Sequence, residues 1–116
     1  MHLQINVEQR DDHTILSPQG DVDFATGPEL RKAITETLVA GDVNLVVDLL
    51  GVDFIESTGL GALIGGRRRA EAVNGSLSLV CTEEQLLRIF EITGLDKIFD
   101  IYPSEEEAAA QEGVSL

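Results

Sequence analysis

VNLVVDLLGVDFIESTGLGALIGG, residues 43–66, joins two hydrophobic periods across one short polar bridge. Its first part, Val43 to Leu50, is nearly continuous apolar and β-branched, the composition of a strand covered on both faces. Its last part sets Leu60, Leu63 and Ile64 on one face at about 100° per residue, the period of a helix that runs on to about Val73. A buried strand feeding directly into a helix is half of a β-α-β unit, and it makes the chain an α/β protein.

The rest of the chain extends that unit in both directions. Leu3, Ile5 and Val7 alternate with polar neighbours, Asp11 and Asp12 supply a turn, and a second extended run reaches from Ile15 to Gly20, which predicts an antiparallel hairpin. Leu30, Ala33, Ile34 and Leu38 share one face of a helix that ends near Gly41. After the central unit, SLSLVC (76–81) predicts a strand, and Leu86, Leu87, Ile89, Phe90 and Ile92 mark a helix stopped by Gly94. KIFDIY (97–102) predicts a fifth strand, and Pro103 leads into a short acidic helix through Ala110. The expected fold is a single domain over 1–110, an open mixed sheet of four to five strands with about four helices, followed by a frayed tail at 111–116.

Composition excludes several kinds of function. Eight Lys and Arg stand against twenty-one Asp and Glu, a net charge of -13, and such a field repels phosphate backbones and anionic lipid surfaces. Direct nucleic-acid binding and membrane binding are therefore not expected. No apolar run approaches the roughly 20 residues of a membrane span, and MHLQINVEQR lacks a signal-peptide layout, so a cytoplasmic location is expected. The single cysteine, Cys81, offers neither a disulfide framework nor a zinc cluster, and no metal or other cofactor is expected.

The helix starts single out one place. Thr26 with Glu29, Thr82 with Gln85 and Ser104 with Glu107 each fit a capping box, in which a hydroxyl bonds the third amide and a carboxylate or amide reaches back. With Ser57 as the cap of the second helix, the third position is Leu60, which cannot complete the box. Open amides at the positive end of a helix dipole receive a phosphate well, whether free, on a nucleotide or covalently attached. Each interior glycine costs a helix about 0.8–1 kcal/mol, so Gly59, Gly61, Gly65 and Gly66 need a reason. Gly61 and Gly65 share the flank beside the core face, a smooth surface for docking.

GDVD (20–23), LVVDL (45–49), VDFIESTGLGALIG (52–65) and LRIFEITGLDKIF (87–99) together resemble the STAS domain family, and among its members the small anti-sigma factor antagonists of bacteria. The resemblance implies partner switching. In that scheme the unphosphorylated protein binds an anti-sigma factor that is also a GHKL-type serine kinase and frees the sigma factor; phosphorylation of the motif's first hydroxyl, Ser57 here, ends that binding, and a PP2C-type phosphatase restores it. Thr58 matches the second hydroxyl and is an alternative acceptor, and Asp23 matches an acidic position used in partner contact. The partner surface so implied comprises Asp23, Glu56, Ser57, Thr58, Gly59, Gly61 and Gly65, on a monomer or weak homodimer. Glu56 departs from the family pattern, which commonly has Asp before the serine.

Other readings have less sequence behind them. A STAS module that scaffolds another signalling or transport assembly would share the fold. A receiver-like phospho-acceptor is suggested by Asp21, Asp23, Asp48, Thr82 and Lys97, but a receiver does not begin with a hairpin. GLGALIG with Glu83 about 20 residues on imitates a dinucleotide fingerprint without the sequence needed for its paired halves. No G-x-S-x-G elbow surrounds Ser57, and His2 and His13 belong to the hairpin region, so no catalytic residue is assigned and the chain is not read as an enzyme. Arg67, Arg68 and Arg69 read as a solvated helix face, the alternative being that one of them contacts the partner or folds back toward the phosphate.

Overall fold

A computed structural model describes residues 3–112. Strands β1 (Gln4–Gln9) and β2 (Thr14–Gln19) form the antiparallel hairpin. They are followed by α1 (Gly27–Val39), β3 (Asn44–Asp48), α2 (Ser57–Ala72), β4 (Ser76–Val80), α3 (Glu84–Ile92), β5 (Ile101–Tyr102) and α4 (Glu105–Glu112). The five strands lie in chain order, with β2, β3, β4 and β5 mutually parallel. The expected α/β class, mixed sheet and hairpin are all present.

β3 is apolar throughout because both of its faces are covered. Leu45 and Val47 join Leu16, Leu79, Leu30, Ile34, Leu63 and Phe90 in the main core, under α1, α2 and α3. Val46 points the other way, into a smaller cluster with Ile15, Val80 and Ala108 under α4. The period of two along the strand thus divides the helices three to one between the sheet faces.

Two of the α2 glycines are explained by this packing. A Cβ on Gly59 would stand 2.5 Å from Val22 Cγ1 and 2.8 Å from Ile55 Cγ1, and one on Gly66 would stand 2.9 Å from Ile34 Cγ2. Only hydrogen at these positions lets α2 settle onto the loops below it and onto α1. The helix propensity lost at each is offset by core contacts that a larger residue would prevent.

The fifth strand is shorter than the sequence predicts. Gly94 adopts φ 76°, ending α3, Leu95–Lys97 form a 3-10 turn that takes in the first residue of KIFDIY, and residues 98–100 continue outside any strand. Phe99 is buried with its ring 6.5 Å from that of Phe90, edge to face, so it fills the core from a turn before pairing begins, while Ile98 is left exposed. β5 itself is only Ile101 and Tyr102. At the other end of the helix that follows, α4 reaches Glu112; positions 113–116 of the expected tail, like His2, lie outside the described residues.

Candidate functional site

The loops after β2 and β3 meet at a single parallel bridge between Val22 and Ile55, both buried. The Val22 amide donates to the Phe54 carbonyl at 2.8 Å, and the Glu56 amide donates to the Val22 carbonyl at 3.0 Å. This short ladder holds the start of α2 beside the Asp23 loop.

Ser57 is the first residue of α2, not its cap. Glu56 occupies the cap position in an extended conformation (φ -124°, ψ -172°), its carbonyl accepts from the Leu60 amide at 3.0 Å, and its side chain makes no capping bond. The one-residue shift follows from the ladder, which fixes Glu56 as the last extended residue. Ser57 is exposed, Thr58 is half-buried and Gly59 is buried. The hydroxyl of Ser57 makes no hydrogen bond among the described residues, and the residue is exposed at the start of the helix.

The capping boxes expected elsewhere are largely replaced. At α1 the Thr26 hydroxyl donates to the Asp21 carbonyl at 2.7 Å and accepts from the Asp23 amide at 2.9 Å, so it ties the loop together and does not cap the helix. Glu29 instead accepts from the Leu3 amide at 3.2 Å. At α3 the cap is Glu83, whose carboxylate accepts from the Gln85 amide at 3.5 Å, and Thr82 stands outside the helix. Ser104 does accept from the Glu107 amide at 3.2 Å, as expected. An uncapped start is therefore shared by α1 and α2. What sets α2 apart is charge: its first turn has no acidic residue, whereas α1, α3 and α4 carry Glu29, Glu84 and Glu105 to Glu107 there. The positive end of the α2 dipole has no acid within its first turn, and the carboxylate of Glu56 at the cap makes no capping bond to it.

Asp23 organises the neighbouring loop. Its Oδ1 accepts from the Ala25 amide at 2.9 Å and the Thr26 amide at 3.0 Å, and lies 3.1 Å from the Thr26 hydroxyl. Hydrogen bonds from the Thr26 backbone, then from its hydroxyl, hold this carboxyl below the ordinary aspartate range. Gly61 is exposed, with open space around it, and Gly65 is half-buried beneath the Arg69 guanidinium. Asp23, Ser57, Thr58 and Gly61 therefore belong to one connected region, while Gly59 serves the core beneath it.

Sequence reasoning missed two aromatic residues here. Phe24 is 80% exposed and Phe54 is 45% exposed, and each lies within two residues of the Val22–Ile55 bridge. A phenylalanine between GDVD and Thr26, where a turn would favour a polar residue, was the available signal. The arrangement places an exposed serine and two exposed aromatic residues on one stretch of surface. No group of three or more His, Cys, Asp and Glu suited to a metal ion occurs among the described residues. His13 is bonded to Asp12 in the hairpin turn, at 2.7 Å.

The residues grouped for a receiver do not share one cavity. Asp48 lines a cavity of about 500 Å³ with Glu105, under α4, and neither Asp21 nor Asp23 lines it. The strand order, beginning with an antiparallel edge pair, also differs from that of a receiver.

These features define a class: single α/β domains whose mixed sheet starts with a hairpin and which display an exposed hydroxyl at the first turn of the helix after the central strand. The chain belongs to the STAS domain family, whose model matches residues 4–108. It is 33% identical to the anti-sigma-B factor antagonist of Listeria monocytogenes over 108 residues, 92% of this chain and 95% of that one. It is 32% identical to the Bacillus subtilis protein of the same name, over 91% of this chain and 96% of the relative. The crystal structure of an anti-sigma factor antagonist from Mycobacterium paratuberculosis superposes with a TM-score of 0.88 at 30% identity, covering 96% of this chain and 94% of that one.

Proposed function

We propose that this protein is a cytoplasmic anti-sigma factor antagonist that works by partner switching at Ser57. In the unphosphorylated form it binds an anti-sigma factor that is also a GHKL-type serine kinase, and the sigma factor is freed. That kinase transfers phosphate from ATP to the Ser57 hydroxyl, binding ends, and a PP2C-type phosphatase reverses the modification. The observation that carries the reading is the exposed Ser57 at the start of a helix with neither a side-chain cap nor a first-turn acid. Full-length similarity to anti-sigma-B factor antagonists supports it.

The switch needs no refolding. A phosphoserine brings about -1.5 to -2 charges to amides that accommodate them, so the helix tolerates it. The same charges fall on a surface where Asp21, Asp23, Asp53 and Glu56 already lie in the adjoining loops. A partner shaped for the neutral hydroxyl then loses about 3 kcal/mol, on the order of 100-fold in affinity. Thr58, half-buried against α1, is the less accessible acceptor. The chemistry of transfer belongs to the kinase, and this chain serves as substrate and binding module.

The test is to incubate the protein with the purified kinase and ATP and locate the label by mass spectrometry. Label on Ser57, lost in Ser57→Ala, is expected, together with partner retention by Ser57→Ala and its loss in Ser57→Asp. Equal retention of the partner by both variants, with no label on Ser57, would falsify the reading and favour a scaffolding role.

A further inference from the structure

Between α1 and α2 runs a groove of about 370 Å³ whose lining includes Thr58, Gly61, Gly65, Arg31 and Arg69. None of the residues lining it is acidic, although the chain has twenty-one Asp and Glu against eight Lys and Arg. Two of those few cations face the same channel.

Arg69 is the unusual member. Its Nε and Nη2 are shielded from solvent and have no hydrogen-bond partner among the described residues. Its neighbour Arg67, by contrast, pairs with Glu71 at 3.0 Å, one turn along the same helix. The guanidinium of Arg69 folds back over Gly65, where an added Cβ would stand 3.1 Å from Nη1. Unpaired donors of a shielded cation are costly, and a folded protein leaves few of them without an acceptor. Nε and Nη2 form one edge of the guanidinium, the two-donor fork that fits both oxygens of a carboxylate, and a partner reaches that covered edge once the side chain turns out of its fold over Gly65.

The surface beyond Arg69 describes what accompanies that carboxylate. Leu38, Val39, Ala72 and Val73 form an apolar shelf next to the guanidinium, with Val39 82% and Val73 53% exposed. We infer that an Asp or Glu side chain of the protein partner enters the α1–α2 groove and pairs with Arg69, with Arg31 as a second cation, while apolar residues flanking that acid cover Val39 and Val73. This inference rests on the proposed function and adds to it a second anchor, twelve residues along α2 from Ser57, roughly 18 Å away. Charge complementarity selects the occupant: this is a basic channel in an acidic protein, so it takes an acidic segment.

The purified anti-sigma factor kinase of the same cell is titrated calorimetrically into wild type, Arg69→Gln, Arg69→Lys and Gly65→Ala at low and moderate salt. Arg69→Gln is expected to weaken binding at least tenfold and to reduce its salt dependence, without lowering the thermal midpoint. Arg69→Lys recovers part of the loss, and Gly65→Ala, which displaces the guanidinium but keeps its charge, gives an intermediate affinity. Arg69→Glu is further expected to be rescued by Lys at one acidic position of the partner, which a merely structural role would not allow. Wild-type affinity in Arg69→Gln, or no rescue at any acidic surface position of the partner, overturns the inference alone. Failure of the wild type to bind overturns the proposed function, and this inference with it.

Discussion

Gly59 and Gly61 lie two residues apart on α2 and meet opposite surroundings. A methyl at Gly59 collides with Val22 and Ile55, whereas one at Gly61 meets nothing within 4 Å. Gly59→Ala is therefore expected to destabilise the protein by about 1–3 kcal/mol through overpacking. Gly61→Ala should instead raise stability by up to about 1 kcal/mol, from helix propensity alone. Urea denaturation of both variants checks the pair, and the opposite order of midpoints would contradict the assignment of Gly59 to the core. Cys81 gives a second residue-level prediction. Burial pushes its thiol above the ordinary range, so alkylation at pH 8 should be far slower in the native protein than in urea. Sequence reasoning put this thiol inside the strand SLSLVC, whereas β4 ends at Val80 and Cys81 is buried just beyond it; three consecutive arginines read chiefly as a solvated face, with no sign of which one folds back over a glycine.

At the scale of elements, the start of α1 depends on Asp23 more than on its nominal cap. Asp23→Ala removes acceptors for the Ala25 and Thr26 amides and should lower the thermal midpoint. Thermal melting measures that loss, and a partner titration below the midpoint separates it from any direct contact. The hydroxyls of Thr26 and Thr82 fitted the capping-box spacing, but spacing cannot show that Asp21 and Asp23 claim one hydroxyl or that Glu83 caps in place of the other. KIFDIY misled for a related reason. Its apolar residues suit a strand, and only the left-handed Gly94 together with burial of Leu95 and Phe99 keeps its first part out of the sheet. The strands and helices with a long, clear period, β3 and α1 to α3, were readable throughout.

The docking of α4 also has a pH dependence. Glu105 is pushed up to about 7, chiefly by its hydrogen bond with Asp48, then by burial and the Asp48 and Glu8 charges, against a lowering effect of Arg10. The folded state thus holds a proton that the unfolded chain releases near 4.5. This contribution to stability is full below about pH 4.5 and is lost as pH rises through about 7. Glu105→Gln, which keeps a hydrogen-bonding group without the charge, should gain stability relative to wild type across that rise. Urea midpoints of the two proteins from pH 4.5 to 8 check the sign, and a constant difference would contradict it.

For the whole molecule, the division of labour follows from the sheet. Three helices on one face bury the main core, and the loops after β2 and β3 bring Asp23, Phe24, Phe54 and Ser57 to one edge of it. Under the proposed switch, a phosphate added to a chain of net charge -13 is expected to act on association and not on the fold. The most direct test is calorimetric titration of the anti-sigma factor kinase with the unmodified protein and with protein stoichiometrically phosphorylated on Ser57, each with its thermal midpoint recorded. The account predicts tight binding by the first form, binding weaker by on the order of 100-fold in the second, and closely similar midpoints. Equal affinities for the two forms, or loss of binding accompanied by collapse of the midpoint, would contradict it.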